Sequence, residues 1–218
     1  MGFDACRGAG GPLALELAWS LGLGLEERDD SGDTCLLAAA RSGEGDLMRL
    51  LARSGADLEA EDVHGMRPMH VAAASGFVEG LEILLFRGAD IEARAGGSRV
   101  GATPLMMAAA AGGRPAFWLL LERGARAEVF DERGSSALES VVFARDEEAA
   151  RALVELGADL TKPSSQGFAQ GFVWDVAERM GMADLADFMR RREAAEREAV
   201  EIGGSAKPGA AAAPRRAL

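Results

Sequence analysis

Gly-Ala-Asp closes a leucine-rich stretch at Gly55, at Gly88 and at Gly157, and Gly-Ala-Arg does the same at Gly124. The steps between these glycines are 33, 36 and 33 residues, so the chain has a 33-residue period with one three-residue insertion. Stepping back 33 residues from Gly55 reaches Gly22 in "GLGLEERDDSG", a worn copy of the same unit. A period of this length leaves few architectures open. One unit is too small to bury its own apolar face, so successive units must stack on one another.

Within each period a turn ends in glycine and a short alanine-rich segment follows. A second glycine then leads into the leucine-rich segment. The first segments are "GDTCLLAAARSG" from Gly32, "GMRPMHVAAASG" from Gly65, "GATPLMMAAAAG" from Gly101 and "GSSALESVVFAR" from Gly134. Each reads as a short helix. The pairs Ala39-Ala40, Ala72-Ala73 and Ala108-Ala109 leave room for a neighbouring unit, and Leu36, Met69, Leu105 and Leu138 supply apolar volume. The second segments, "DLMRLLARSG", "GLEILLFRG" and "FWLLLERG", place apolar residues at helical spacing and stop at a glycine suited to a left-handed C-terminal position.

This helix, turn, helix and extended-loop unit resembles the ankyrin repeat, whose mark is Thr-Pro-Leu-His-x-Ala in a 33-residue period. "TPLMMAA" at 103–109 keeps Thr103, Pro104 and Leu105 and has Met106 in the histidine position, while "RPMHVAA" at 67–73 keeps Pro68 and His70. The resemblance covers residues 12–192 and implies an all-α ankyrin-repeat solenoid of stacked helix-turn-helix units with short hairpin loops. Units are expected near 12–28, 29–61, 62–94, 95–130 and 131–163, with a C-terminal cap at 164–192 that contains Trp174, Val176, Ala177, Gly181, Leu185 and Phe188. Residues 1–11 read as a flexible leader, and 193–218 as a helical extension followed by a disordered tail. The fourth unit departs most from the pattern, because Arg145 replaces the inter-helix glycine, and Ala137, Glu139, Val141 and Val142 stand where the others carry Pro, His and paired Ala. A looser seat is expected there.

Composition excludes several functions. Among 218 residues the net charge is −11, which opposes nucleic acid or an anionic membrane as the main partner. No apolar run approaches the roughly 18 to 20 residues of a membrane span, and the first eleven residues lack the basic start and apolar centre of a secretory signal, so a cytoplasmic location is expected. Cys6 and Cys35 have no further Cys or His at ligand spacing and are expected to be reduced thiols, with no metal and no cofactor. "GAGG" at 8–11 lacks the Gly-Lys-Ser/Thr of a phosphate loop. "RAGGSRVG" at 94–101 holds the insertion and reads as a lengthened hairpin finger.

The resemblance further implies a non-enzymatic interaction module that binds a protein through hairpin tips and the concave face of the first helices. Matched position by position, the tips are Asp30, Ser31 and Asp33, then Val63, His64 and Met66, then Arg99, Val100 and Ala102, then Glu132, Arg133 and Ser135. The inner-helix positions are Arg41 and Ser42, Ala74 and Ser75, Ala110 and Ala111, and Phe143 and Ala144. It also implies that His70 bonds to backbone and steadies its hairpin. Glu26, Glu27, Asp29, Asp30 and Asp33 stand against Arg28 alone, and Glu59, Glu61 and Asp62 continue this acidic stripe. Two readings stay open for it, a solvated face and an edge that steers a basic partner. Trp118 and Phe86 occupy second-helix positions held elsewhere by charged residues, a possible contact on the back of the array. A monomer is expected. The alternatives are a regulatory inhibitor or immunity-type partner of an enzyme and an effector delivered into a host cell.

Overall fold

The computed structural model describes residues 24–164 and 171–201. The expected leader, most of the worn first unit and the expected tail lie outside these residues. The chain divides into two units between Leu119 and Leu120. Among the described residues the architecture is all-α, and its only extended pairings are isolated bridges such as Arg28 with Thr34 and Phe130 with Ser136.

The first unit contains α1 (Cys35–Ser42), α2 (Gly45–Arg53), α3 (Pro68–Ser75), α4 (Val78–Phe86), a 3₁₀ turn at Gly97–Arg99 and α5 (Pro104–Ala111). The division falls within α6 (Arg114–Glu122). These helices have eight or nine residues, too few to persist alone, so their stability comes from packing. α1 packs on α2 and α3, α3 packs on α4 and α5, and α2 packs on α4. The expected seam is present. Ala39, Ala40, Ala72, Ala73, Ala108 and Ala109 are buried, as are Leu36, Met69 and Leu105. Alanine keeps the inner helices close, and each buried Leu or Met contributes about 1.5–3 kcal/mol.

Helix starts are fixed locally. The Thr34 and Thr103 hydroxyls accept from the N–H groups of Leu37 and Met106, and Pro68 and Pro104 occupy first-turn positions where no donor is needed. Helix ends use glycine. Gly55, Gly88, Gly124 and Gly157 all lie at φ between +88° and +90°, so the glycine that sets the sequence period marks one repeated left-handed turn.

One thiol expectation is corrected. Cys35 is buried and disulfide-bonded, not a reduced thiol. Cys6 lies outside the described residues. Sequence spacing carried no pairing signal, because pairing depends on tertiary approach.

The second unit contains α7 (Ala137–Phe143), α8 (Glu147–Glu155), α9 (Val173–Arg179) and α10 (Ala183–Glu201). α7 packs on α8 and α9, and α10 packs on α8 and α9. Trp174 is buried and stacks on Phe172, with ring centroids 4.4 Å apart. α10 continues past Arg192 to Glu201, supported by ion pairs four residues apart between Arg192 and Glu196 and between Glu193 and Arg197. Val141 and Val142, the residues expected to crowd their seam, are buried.

Arg145 sits at φ +58°, the one left-handed non-glycine among the described residues. Gly43, Gly76 and Gly112 hold the equivalent turns at +75°, +70° and +67°. A side chain there costs roughly 1–2 kcal/mol. The Arg145 guanidinium offsets part of that by donating to the Met180 carbonyl at the C-terminal end of α9, where cations are favoured. The two contributions are separable by substitution. Arg145→Ala keeps the strained turn and loses the bond, while Arg145→Gly loses both. Chemical denaturation should therefore rank Arg145→Ala below Arg145→Gly by about 1–2 kcal/mol. Equal stabilities for the two variants would show that the turn is unstrained.

Candidate functional site

The hairpin tips of the first unit share a local construction. In "DDSGD" and "DVHGM" the first aspartate caps its own turn. Asp29 Oδ1 accepts from the N–H groups of Ser31 and Asp33 at 2.8 and 2.9 Å, and Asp62 Oδ1 accepts from those of His64 and Met66, both at 2.8 Å. "DERGS" in the second unit repeats it, with Asp131 Oδ1 accepting from Arg133 and Ser135 at 2.9 and 2.7 Å. Such aspartate turns fix the backbone and leave the second and third residues pointing outward. Asp30, Ser31, Val63, His64, Glu132 and Arg133 are accordingly exposed.

The third hairpin lacks this aspartate and closes by backbone bonds between Ala95 and Ala102 and between Gly101 and Ala95. Its three-residue insertion lies against the second hairpin, where the Gly96 N–H donates to the Gly65 carbonyl at 2.8 Å. A side chain on Gly65 would strike the Gly96 backbone. Arg99 is exposed and directs its Nη1 to the Met107 sulfur at 3.7 Å, while Val100 and Met66 are half-buried. The lengthened finger is thus real, and packed glycine backbones position it.

Asp33 and Arg41 have a structural task that their spacing does not reveal. Asp33 is only 4% exposed, and Arg41 holds it through Nε and Nη2, each at 3.0 Å. Nη2 also donates to Asp62, 7% exposed, at 3.0 Å. One guanidinium therefore joins α1 to the tips of two successive hairpins. Its side chain remains 52% exposed, with Nη1 meeting no acceptor among the described residues.

Most of the acidic stripe is likewise engaged. Glu26 accepts from the Asp57 N–H at 2.8 Å, and Glu59 repeats the contact to the Asp90 N–H at 3.0 Å. Glu59 and Glu61 also pair with Arg67, and Glu27 accepts from the Gly24 N–H. Asp30 is the acid of the stripe left without a bond among the described residues.

His70 is buried beneath the same hairpins. Its Nδ1 accepts from the Arg67 N–H at 3.2 Å, so Nε2 carries the proton and donates to the carbonyls of Ala93 and Ala102, both at 3.0 Å. The backbone role implied by its position is the one observed. Burial pushes its pKa below 6.5, outweighing the two carbonyls that raise it. The folded chain therefore binds this proton less readily than the unfolded chain.

The remaining candidates divide by unit. Phe86 is 86% exposed with the Arg87 guanidinium 6.0 Å from its ring centre, and Trp118 is half-buried and meets Phe117 edge-on at 5.4 Å. In the second unit Phe143 is half-buried. Glu139, which stands at the position matching His70, is buried and accepts from the Ser164 hydroxyl, a partner the sequence pattern did not name. Among the described residues no three His, Cys, Asp or Glu side chains are grouped to hold a metal ion, and no helix is long and apolar enough to cross a membrane.

Comparison with known families matches residues 4–95 to the model described as Ankyrin repeats (3 copies). No curated protein matches the chain.

The His70 geometry fixes a pH response. Its contribution to stability is complete above 6.5 and is lost as pH falls below that value toward the lowered folded pKa. Denaturation midpoints measured at about pH 7 and about pH 5 should differ more for the natural chain than for His70→Gln, which cannot titrate. An equal difference in both proteins would contradict a neutral buried imidazole.

Proposed function

We propose that the chain, whose residues 4–95 match the ankyrin-repeat family, is an ankyrin-repeat protein and a non-enzymatic module that binds another protein through the hairpin tips and inner-helix face of its first unit. Ankyrin repeats are generally protein-protein interaction modules. The observation that carries the proposal is the division of labour among polar groups at the tips. Asp29, Asp62 and His70 are spent on fixing the backbone and Asp33 on pairing with Arg41, whereas Asp30, Val63, His64 and Arg99 are held outward on turns already fixed. Rigid turns lower the entropy cost of recognition. Arg133 and Phe143 are further candidates on the second unit, and Phe86 and Trp118 are the competing contact.

A cytoplasmic location and a monomeric state belong to the same proposal. The disulfide at Cys35 weighs against the first, because the cytosol keeps thiols reduced.

Cross-linking capture from the native cell with the full chain tests the reading. A His64→Glu and Arg99→Glu double variant should lose the captured partner while Phe86→Glu keeps it. Loss with Phe86→Glu alone would move recognition to the second-helix face.

A further inference from the structure

At the first two tips of the first unit, Asp29, Asp33 and Asp62 are spent on internal bonds, which leaves the Asp30 carboxylate unpaired among the described residues. Arg28 is committed to the carbonyls of Gly32 and Glu61. Arg41 is committed through two of its three nitrogens to Asp33 and Asp62, which have almost no exposed surface. What the corner offers outward is specific. It consists of the Asp30 carboxylate, the Arg41 Nη1 edge and the Val63 side chain, which is 69% exposed. Asp30 and Val63 sit on neighbouring tips. Val63 Cγ1 lies where a side chain on Gly32 would be, which brings the second tip onto the first, and Arg41 bonds to the residues that flank Gly32 and Val63 on each tip.

We propose that this corner binds an extended segment of a partner protein that carries a basic side chain next to an apolar one. The assignment rests on the reading of the chain as a binding module and names the chemistry of its ligand. The cation meets Asp30, the one carboxylate of these tips left over after internal pairing. The apolar side chain covers Val63 and removes exposed hydrocarbon from water. Arg41 Nη1 donates to a main-chain carbonyl. A neutral acceptor suits it better than a carboxylate, because the buried Asp33 and Asp62 lie directly behind the guanidinium and repel a third negative group. The ion pairs on Arg41 also hold the corner in place before binding, so little order is lost on association.

A library of displayed random peptides, selected on the full-length chain, tests the assignment. Enriched peptides should place Lys or Arg beside Leu, Ile, Val or an aromatic residue. They should bind at least about tenfold more weakly to Asp30→Lys and to Val63→Asp, and more weakly as salt rises. Both substituted side chains are exposed, and matching circular dichroism spectra check that the variants fold. Enrichment of acidic peptides, absence of enrichment, or binding that persists in both variants would overturn the corner as the site. Peptides whose binding is lost only on His64→Glu or Arg99→Glu would overturn the corner and leave the binding-module reading standing. Failure of that reading is recorded separately, by the capture experiment on the intact partner.

Discussion

Everything in the first unit depends on the close approach of successive inner helices. α1, α3 and α5 have eight residues each and cannot persist unaided, so each must bury its face against the next. Alanine pairs at the seam set the separation, and Leu36, Met69 and Leu105 fill it. Once that distance is fixed, the hairpins come within hydrogen-bonding reach of one another. Arg41 then spans Asp33 and Asp62, His70 spans Ala93 and Ala102, and Gly96 meets Gly65. These polar bridges are consequences of apolar spacing. Single hydrogen bonds of this kind contribute about 0.5–1.5 kcal/mol, which tunes the stack without creating it.

The bridges sort the surface. A side chain tied to its own framework is unavailable to a partner, and one released by that framework is free to recognise. Five of the eight acids in the stripe from Glu26 to Asp62 bond to backbone N–H groups, Glu61 pairs with Arg67, Asp33 bonds Arg41, and Asp62 bonds Arg41 as well, which leaves Asp30. Asp33 belongs to neither of the two readings open from sequence, since its carboxylate is turned into the protein and paired. Net negative charge therefore measures recognition capacity poorly here. What matters is the charge left over after internal pairing.

The fold was legible because its determinants repeat. The 33-residue spacing of Gly55, Gly88, Gly124 and Gly157 marks one backbone turn, and the alanine pairs and large apolar residues mark the seam; each signal is local in sequence. Arg145 was legible for the same reason, as an exception at a position where glycine is otherwise the rule. The site was only partly legible. Asp30 and Asp33 sit three positions apart on one tip and look alike in sequence, yet only Asp33 meets Arg41, eight residues on. The recurrence of aspartate three residues before the tip glycine at 29, 62 and 131 was available as a signal for the turns. The register placed Glu139 at a histidine position, but nothing in the spacing revealed that Ser164 would donate to it, or the disulfide at Cys35.

The separation of framework from recognition is most directly tested by melting Asp30→Asn and Asp33→Asn side by side. Each substitution removes one negative charge from the same tip and changes almost no volume. Asp33→Asn weakens the ion pair of the buried Asp33 carboxylate with the half-exposed Arg41, which joins α1 to its hairpin, at a cost of about 1–3 kcal/mol, and should lower Tm by several degrees. Asp30→Asn touches no internal bond and should leave Tm unchanged. Equal shifts in the two variants, or a larger fall for Asp30→Asn, would contradict the account.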